Sequence, residues 1–141
     1  LQTTGGFLDA LANHLSTVST LSLTKGTNLF AENYIDDPSI ITDQVVLYED
    51  SVEQLLDFRH MHYNWNTRFV TTRTKRIESI NALIPLHDYL LDKKRFYLVS
   101  DASESFTILT TRSIMAPDLI ERTDSGRFAS AFTLQFQLIP D

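Results

Sequence analysis

The stretch from Phe128 to Leu138 limits the fold more than any other part of this chain. Phe128, Phe132, Leu134, Phe136 and Leu138 fall on one side of an extended backbone. Ala129, Ala131, Thr133, Gln135 and Gln137 fall on the other, and Ser130 is the one polar residue in the apolar set. Successive side chains of a strand point to opposite faces, so this period-two order predicts a long strand with one buried face. A sheet with one apolar face has to be covered.

Two amphipathic segments supply the cover. Phe7, Leu8, Leu11, Ala12, Leu15 and Val18 recur at three and four residues and predict a helix over residues 7–18, loosened at its start by Gly5 and Gly6. Ile77, Ile80, Leu83, Ile84, Leu86, His87, Leu90 and Leu91 predict a second over residues 75–91. Pro85 lies in its middle, where a missing N–H kinks or divides a helix. The basic run Lys93, Lys94, Arg95 suits a helix C-terminus.

Further strands are predicted at residues 29–35, 44–49, 65–72, 95–99 and 106–115, the last ended by Pro117 and Asp118. Trp65, Thr67, Phe69 and Thr71 share one face of the third of these; Asn66, Arg68, Val70 and Thr72 share the other. Residues 24–28 and 123–126 read as turns, the second joining antiparallel strands. Residues 50–63 show no clear period and read as a long loop or arm, reaching to about residue 64. The expectation is one α+β domain over residues 1–141: an antiparallel or mixed sheet with two main helices packed on one face.

The chemistry-bearing residues are sparse. There is no cysteine, which removes disulfides, thiolate metal sites and thiol nucleophiles. His60 and His62 share a strand face but lack a third ligand beyond Asp57. His14 and His87 lie beside the apolar faces of the two helices and read as packed histidines. The pairs Asp36–Asp37 and Glu49–Asp50 are adjacent loop residues, not carboxylates held across a cleft. Four glycines, at positions 5, 6, 26 and 126, form no phosphate-cradling loop. No enzyme activity, cofactor or metal is therefore expected.

Arg68, Arg73, Lys75 and Arg76 interleave with Trp65 and Phe69, as on a nucleic-acid-binding sheet, and that reading requires one exposed basic stripe. The formal charge of -6 argues against such binding. No apolar run is long enough to span a membrane, and residues 1–6 do not read as an intact signal peptide.

The order of segments resembles a known family. The amphipathic N-terminal helix is followed by Gly26-Thr-Asn-Leu-Phe30, then by Ile35-Asp-Asp-Pro38 leading to Val45-Val-Leu-Tyr48-Glu49. After the strand at residues 65–72 and the second helix, Asp124-Ser-Gly126-Arg127-Phe128 opens the alternating strand. This layout is similar to the minor capsid and tail-terminator proteins of long-tailed bacteriophages, over nearly the full length. The resemblance implies a tail-terminator-like fold and a virion protein at the head–tail junction. It implies a homo-oligomeric, hexameric ring that caps the tail tube, touching the tube protein on one face and the head-side connector on the other. Double-stranded DNA passes through the hole. Pro85, and the lack of glycine ahead of Trp65, depart from the family pattern and keep a neck, head-closure or tail-completion role open.

Within that reading the segment at residues 50–64 is the candidate arm. Its apolar members Val52, Leu55, Leu56, Phe58 and Met61, together with Gln135 and Gln137 on the last strand, are the candidate interface residues. Asp36, Asp37, Glu49, Asp50 and Glu53 are the candidate channel-facing residues, since an acidic lining lets DNA slide without sticking.

Overall fold

A computed structural model describes residues 4–31, 44–56, 61–92, 96–100, 104–123 and 126–140. The elements are α1 (Thr4–Ser16), a 3₁₀ turn (Ser19–Leu21), β1 (Leu29–Ala31), β2 (Gln44–Leu56), β3 (Met61–Arg73), α2 (Arg76–Leu91), β4 (Tyr97–Ser100), β5 (Ser105–Arg122) and β6 (Phe128–Pro140). They build a six-stranded sheet in the order β1-β2-β3-β6-β5-β4. Only β1 and β2 run parallel, so the sheet is mixed.

The alternating sequence of β6 is the centre of this sheet, hydrogen-bonded to β3 on one side and β5 on the other. Both helices cover the face that carries Trp65, Phe69, Phe132 and Phe136. Phe7 of α1 sits 5.1 Å from Trp65, 5.5 Å from Phe106 and 5.7 Å from Phe136, centroid to centroid. Phe69 and Phe132, directly opposite in the ladder, stack at 4.6 Å. The α1 face Phe7, Leu8, Leu11, Leu15 is fully buried. That packing outweighs the cost of about 1 kcal/mol for each glycine in a helix, and Gly5 and Gly6 lie inside the first turn rather than ahead of it.

Ser130, the one polar residue in the apolar set of β6, is matched from above. Its hydroxyl lies 2.7 Å from the Ser79 hydroxyl of α2. Ser79 already donates to the Arg76 carbonyl at 2.6 Å, so Ser130 is the donor in the pair. Both residues are fully buried. Ser79→Ala is expected to cost about 1–3 kcal/mol, because it strands the Ser130 hydroxyl. Adding Ser130→Ala should recover part of that loss in urea denaturation; strictly additive losses would contradict the pairing.

Three expectations are corrected. First, residues 50–56 and 61–64 are not a loop: they are the outer halves of β2 and β3, paired from Ser51 opposite Asn66 to Leu56 opposite Met61. A bulge between Glu49 and Ser51 inserts Asp50 as an extra residue. It shifts the period-two phase by one, so Val45 and Leu47 share a face with Val52 rather than with Ser51, and a continuous strand reads as patternless. Second, β5 does not end at Pro117 but runs on to Arg122. Among the described residues β4 covers only residues 105–108 of its outer edge, so Pro117 stands on an open edge and within a register irregularity between Met115 and Asp118. Those are the places where a sheet tolerates proline. Third, α2 is not divided at Pro85. Pro85 and Asn81 are both exposed, so the Asn81 carbonyl freed by the missing N–H is on the solvent side.

Candidate interaction surface

The candidate interface residues separate on the structure. Val52 is half-buried and packs against the core beneath α1, opposite Trp65 in the ladder, so it is a core residue rather than an exposed one. Leu55, Leu56 and Met61 occupy the distal end of the β2–β3 hairpin, in strand rather than loop. Phe58 and the side chains of Leu55, Leu56 and Met61 lie outside the described residues. Gln135 and Gln137 are half-buried on the face turned away from the helices, with Gln137 accepting a hydrogen bond from Thr110.

The candidate channel residues do not form one surface. Glu49, opposite Thr67, is on the helix-covered face; Glu53, opposite Asn64, is on the other; Asp50 is the bulged residue between them. Asp36 and Asp37 lie outside the described residues. The basic residues are equally dispersed. Arg73 folds back onto Thr71 and the Thr72 carbonyl, Lys75 and Arg76 are exposed at the start of α2, and Arg68 is on the far face of the sheet. They do not make the single stripe that nucleic-acid binding requires.

His14 and His87 serve packing, while Asp57, His60 and the side chain of His62 lie outside the described residues. The His14 ring lies 3.1 Å from the Tyr89 hydroxyl and 5.3 Å from the Tyr97 ring. Burial pushes the Tyr97 phenol up to about 12 against a hydrogen bond from Thr111, so it stays neutral and acts as a packed ring. His87 meets the edge of Phe132 and bonds to Ser113. Among the described residues no three metal-ligating side chains converge, and no helix is long and apolar enough to cross a membrane.

The face opposite the helices carries the more distinctive arrangement. Cross-strand rows run Ser51–Asn66–Gln135–Arg112 and Tyr48–Arg68–Thr133, with Val46–Val70–Ala131 beyond. This face is only partly solvated: Val46, Ala131 and Thr133 are buried on it. Toward the β5–β6 turn it forms a trough of about 530 Å³. Arg68 and Val70 of β3 line it, with Tyr48 and Asp50 along β2 and Ile120 to Arg122 along β5. Arg122 is engaged over the Phe128 ring, 5.5 Å from its centroid. Arg68 is not engaged in this way: its Nε is buried and has no hydrogen-bond partner, and the neighbouring Asn66 Oδ1 is in the same position. A buried donor left unmade costs about 1–3 kcal/mol or more for a charged group. The alternation of β3 already placed Asn66 and Arg68 together on this face, but the flanking carboxylates came from β2 and β5, which no local pattern connects.

Exposed apolar residues form the other notable surface. Ile77 is 70% exposed and Ile84 40% exposed, seven residues apart on α2, and Ile120 at a β5 bulge is 44% exposed. A second trough, of about 720 Å³, lies between the 3₁₀ turn and the C-terminal half of α2, against Leu21, Pro85 and Tyr89. Comparison with known proteins returns no matching family model and no significantly similar curated protein.

Proposed function

We propose that this chain is a structural subunit of a long-tailed phage virion, assembling into a hexameric ring at the head–tail junction that caps the tail tube and joins it to the head-side connector. Genomic DNA passes through the central channel, and neither a reaction nor a cofactor has a part in this reading. The observation that carries it is the ordered set of segments quoted above, from the amphipathic helix through Gly26–Phe30 to the Asp124–Phe128 turn and its alternating strand. The surface agrees with such a role. Its unusual features are an exposed isoleucine stripe on α2 and an open, half-polar sheet face, which suit contacts with other proteins.

Helix α2 runs unbroken through Pro85, which removes one of the two departures from the family pattern. The other, the absence of glycine ahead of Trp65, favours a second reading as a neck, head-closure or tail-completion adaptor of the same assembly. The test is the mass of the isolated protein by native mass spectrometry, with negative-stain images. A discrete six-fold ring that binds tail-tube protein is the expected result. A chain that stays monomeric at every concentration, and that binds neither tube nor connector protein, would sink both readings.

A further inference from the structure

Two surfaces of the chain complement one another. The first is the trough around Arg68. Its charged lining consists of two carboxylates, on Asp50 and Glu121, and two guanidinium groups, on Arg68 and Arg122. Arg122 is engaged by Phe128, whereas the half-buried Arg68 side chain lines the trough, its inner Nε buried without a partner. Val70 and the exposed Ile120 add an apolar strip. A matching ligand therefore carries one carboxylate for Arg68, flanking cations for the acidic rim, and an apolar side chain between them.

The second surface is the first turn of α2. Residues 74–78 are all exposed. Lys75 and Arg76 are cations, Ile77 is 70% exposed, and Glu78 is a carboxylate. Lys75 is the N-cap and makes no side-chain capping bond, so the backbone N–H groups of this turn have no internal cap. The end of this helix thus combines two basic side chains with the positive pole of the helix dipole, and acidic groups from outside suit it.

We propose that the first turn of α2 in one copy of the chain docks into the Arg68 trough of a second copy. Glu78 pairs with the Arg68 guanidinium, Lys75 and Arg76 face Asp50 and Glu121, and Ile77 packs on Val70 and Ile120. The contact rests on the reading of the chain as a ring subunit and specifies how neighbouring subunits meet. It joins two different patches, and such a heterologous contact, repeated, generates a ring or a filament. The open sheet edge offers a poorer route. β5 carries Pro117 and four register irregularities in its ladder with β6, and bulges and proline in an edge strand discourage edge-to-edge pairing.

Charge reversal tests the contact in the full chain. Arg68→Glu and Glu78→Arg are each expected to weaken self-association at least tenfold by analytical ultracentrifugation, with an added dependence on salt. The double variant, and an equimolar mixture of the two single variants, should both reassemble, because a carboxylate can then meet a guanidinium at every contact. Restoration also shows that both singles are folded. Ile77→Asp, on an exposed position that folding does not need, should weaken association by a separate route. If wild type assembles while both reversals and Ile77→Asp assemble equally well, the contact is wrong and the ring reading stands. If the reversals dissociate and neither the double variant nor the mixture recovers, the Arg68–Glu78 pairing is wrong. If wild type is monomeric throughout, the ring reading fails and takes the contact with it.

Discussion

Phe7→Ala is expected to destabilise the protein by about 3–5 kcal/mol, the range for truncating a fully buried phenylalanine. The residue has no exposed surface. Its ring touches Trp65 on β3, Phe106 on β5 and Phe136 on β6, so one side chain ties α1 to three strands. The rings pack at tilted and edge-on angles, which add about 0.5–1.5 kcal/mol per pair beyond area burial. Rigid neighbours on the sheet cannot collapse into the space, and the cavity persists. Against a total stability of about 5–15 kcal/mol for a typical domain, this loss puts a large share of the chain into the unfolded state. Urea denaturation with a circular-dichroism readout measures it. A loss below about 1 kcal/mol would mean that α1 is not held on the sheet in this way.

Val70→Pro should be at least as damaging, on the order of 3 kcal/mol or more. β3 has partners on both sides, with Val70 opposite Val46 of β2 and Ala131 of β6. A proline there removes a ladder hydrogen bond in the middle of the sheet, and no bulge is present to absorb it. The chain contains its own control. Pro117 already interrupts β5, but on an open edge and inside a bulge, and Pro117→Ala is expected to change stability by only about 0.5 kcal/mol in either direction. Thermal melts of the two variants should therefore differ widely. Similar melting temperatures would place Val70 at an edge and contradict the strand order.

These two positions mark where the chain was legible. The alternation of Phe128 to Leu138 was enough to place β6 and its buried side, since a strand's period is local. The alternation of residues 65–72 did the same for β3. The helices followed from three- and four-residue spacing, although Gly5, Gly6 and Pro85 each argued locally against the outcome. The turn before Phe128 was marked by Gly126, whose φ of 82° favours glycine.

Bulges defeated the same method. Asp50 shifts the phase of β2 by one residue, and four irregularities do the same along β5, so both strands lost their pattern partway and were cut short. With them went the nature of residues 50–64, and the idea that Val52 stood outside the core. Candidate site residues fared less well than elements. Glu49, Asp50 and Glu53 are neighbours in sequence, yet the bulge distributes them over both faces.

The sequence by itself determined that this is an α+β chain with a helix-covered sheet, free of cysteine chemistry and of phosphate-binding glycine loops. Those properties depend on residue types and on periods of two and 3.6. Only the tertiary structure decided which faces meet: the Ser79–Ser130 pair beneath α2, and the trough in which the Arg68 Nε lies without a partner between carboxylates of β2 and β5. Such groupings come from strand order and register, which join residues more than fifty positions apart, and no local period encodes them.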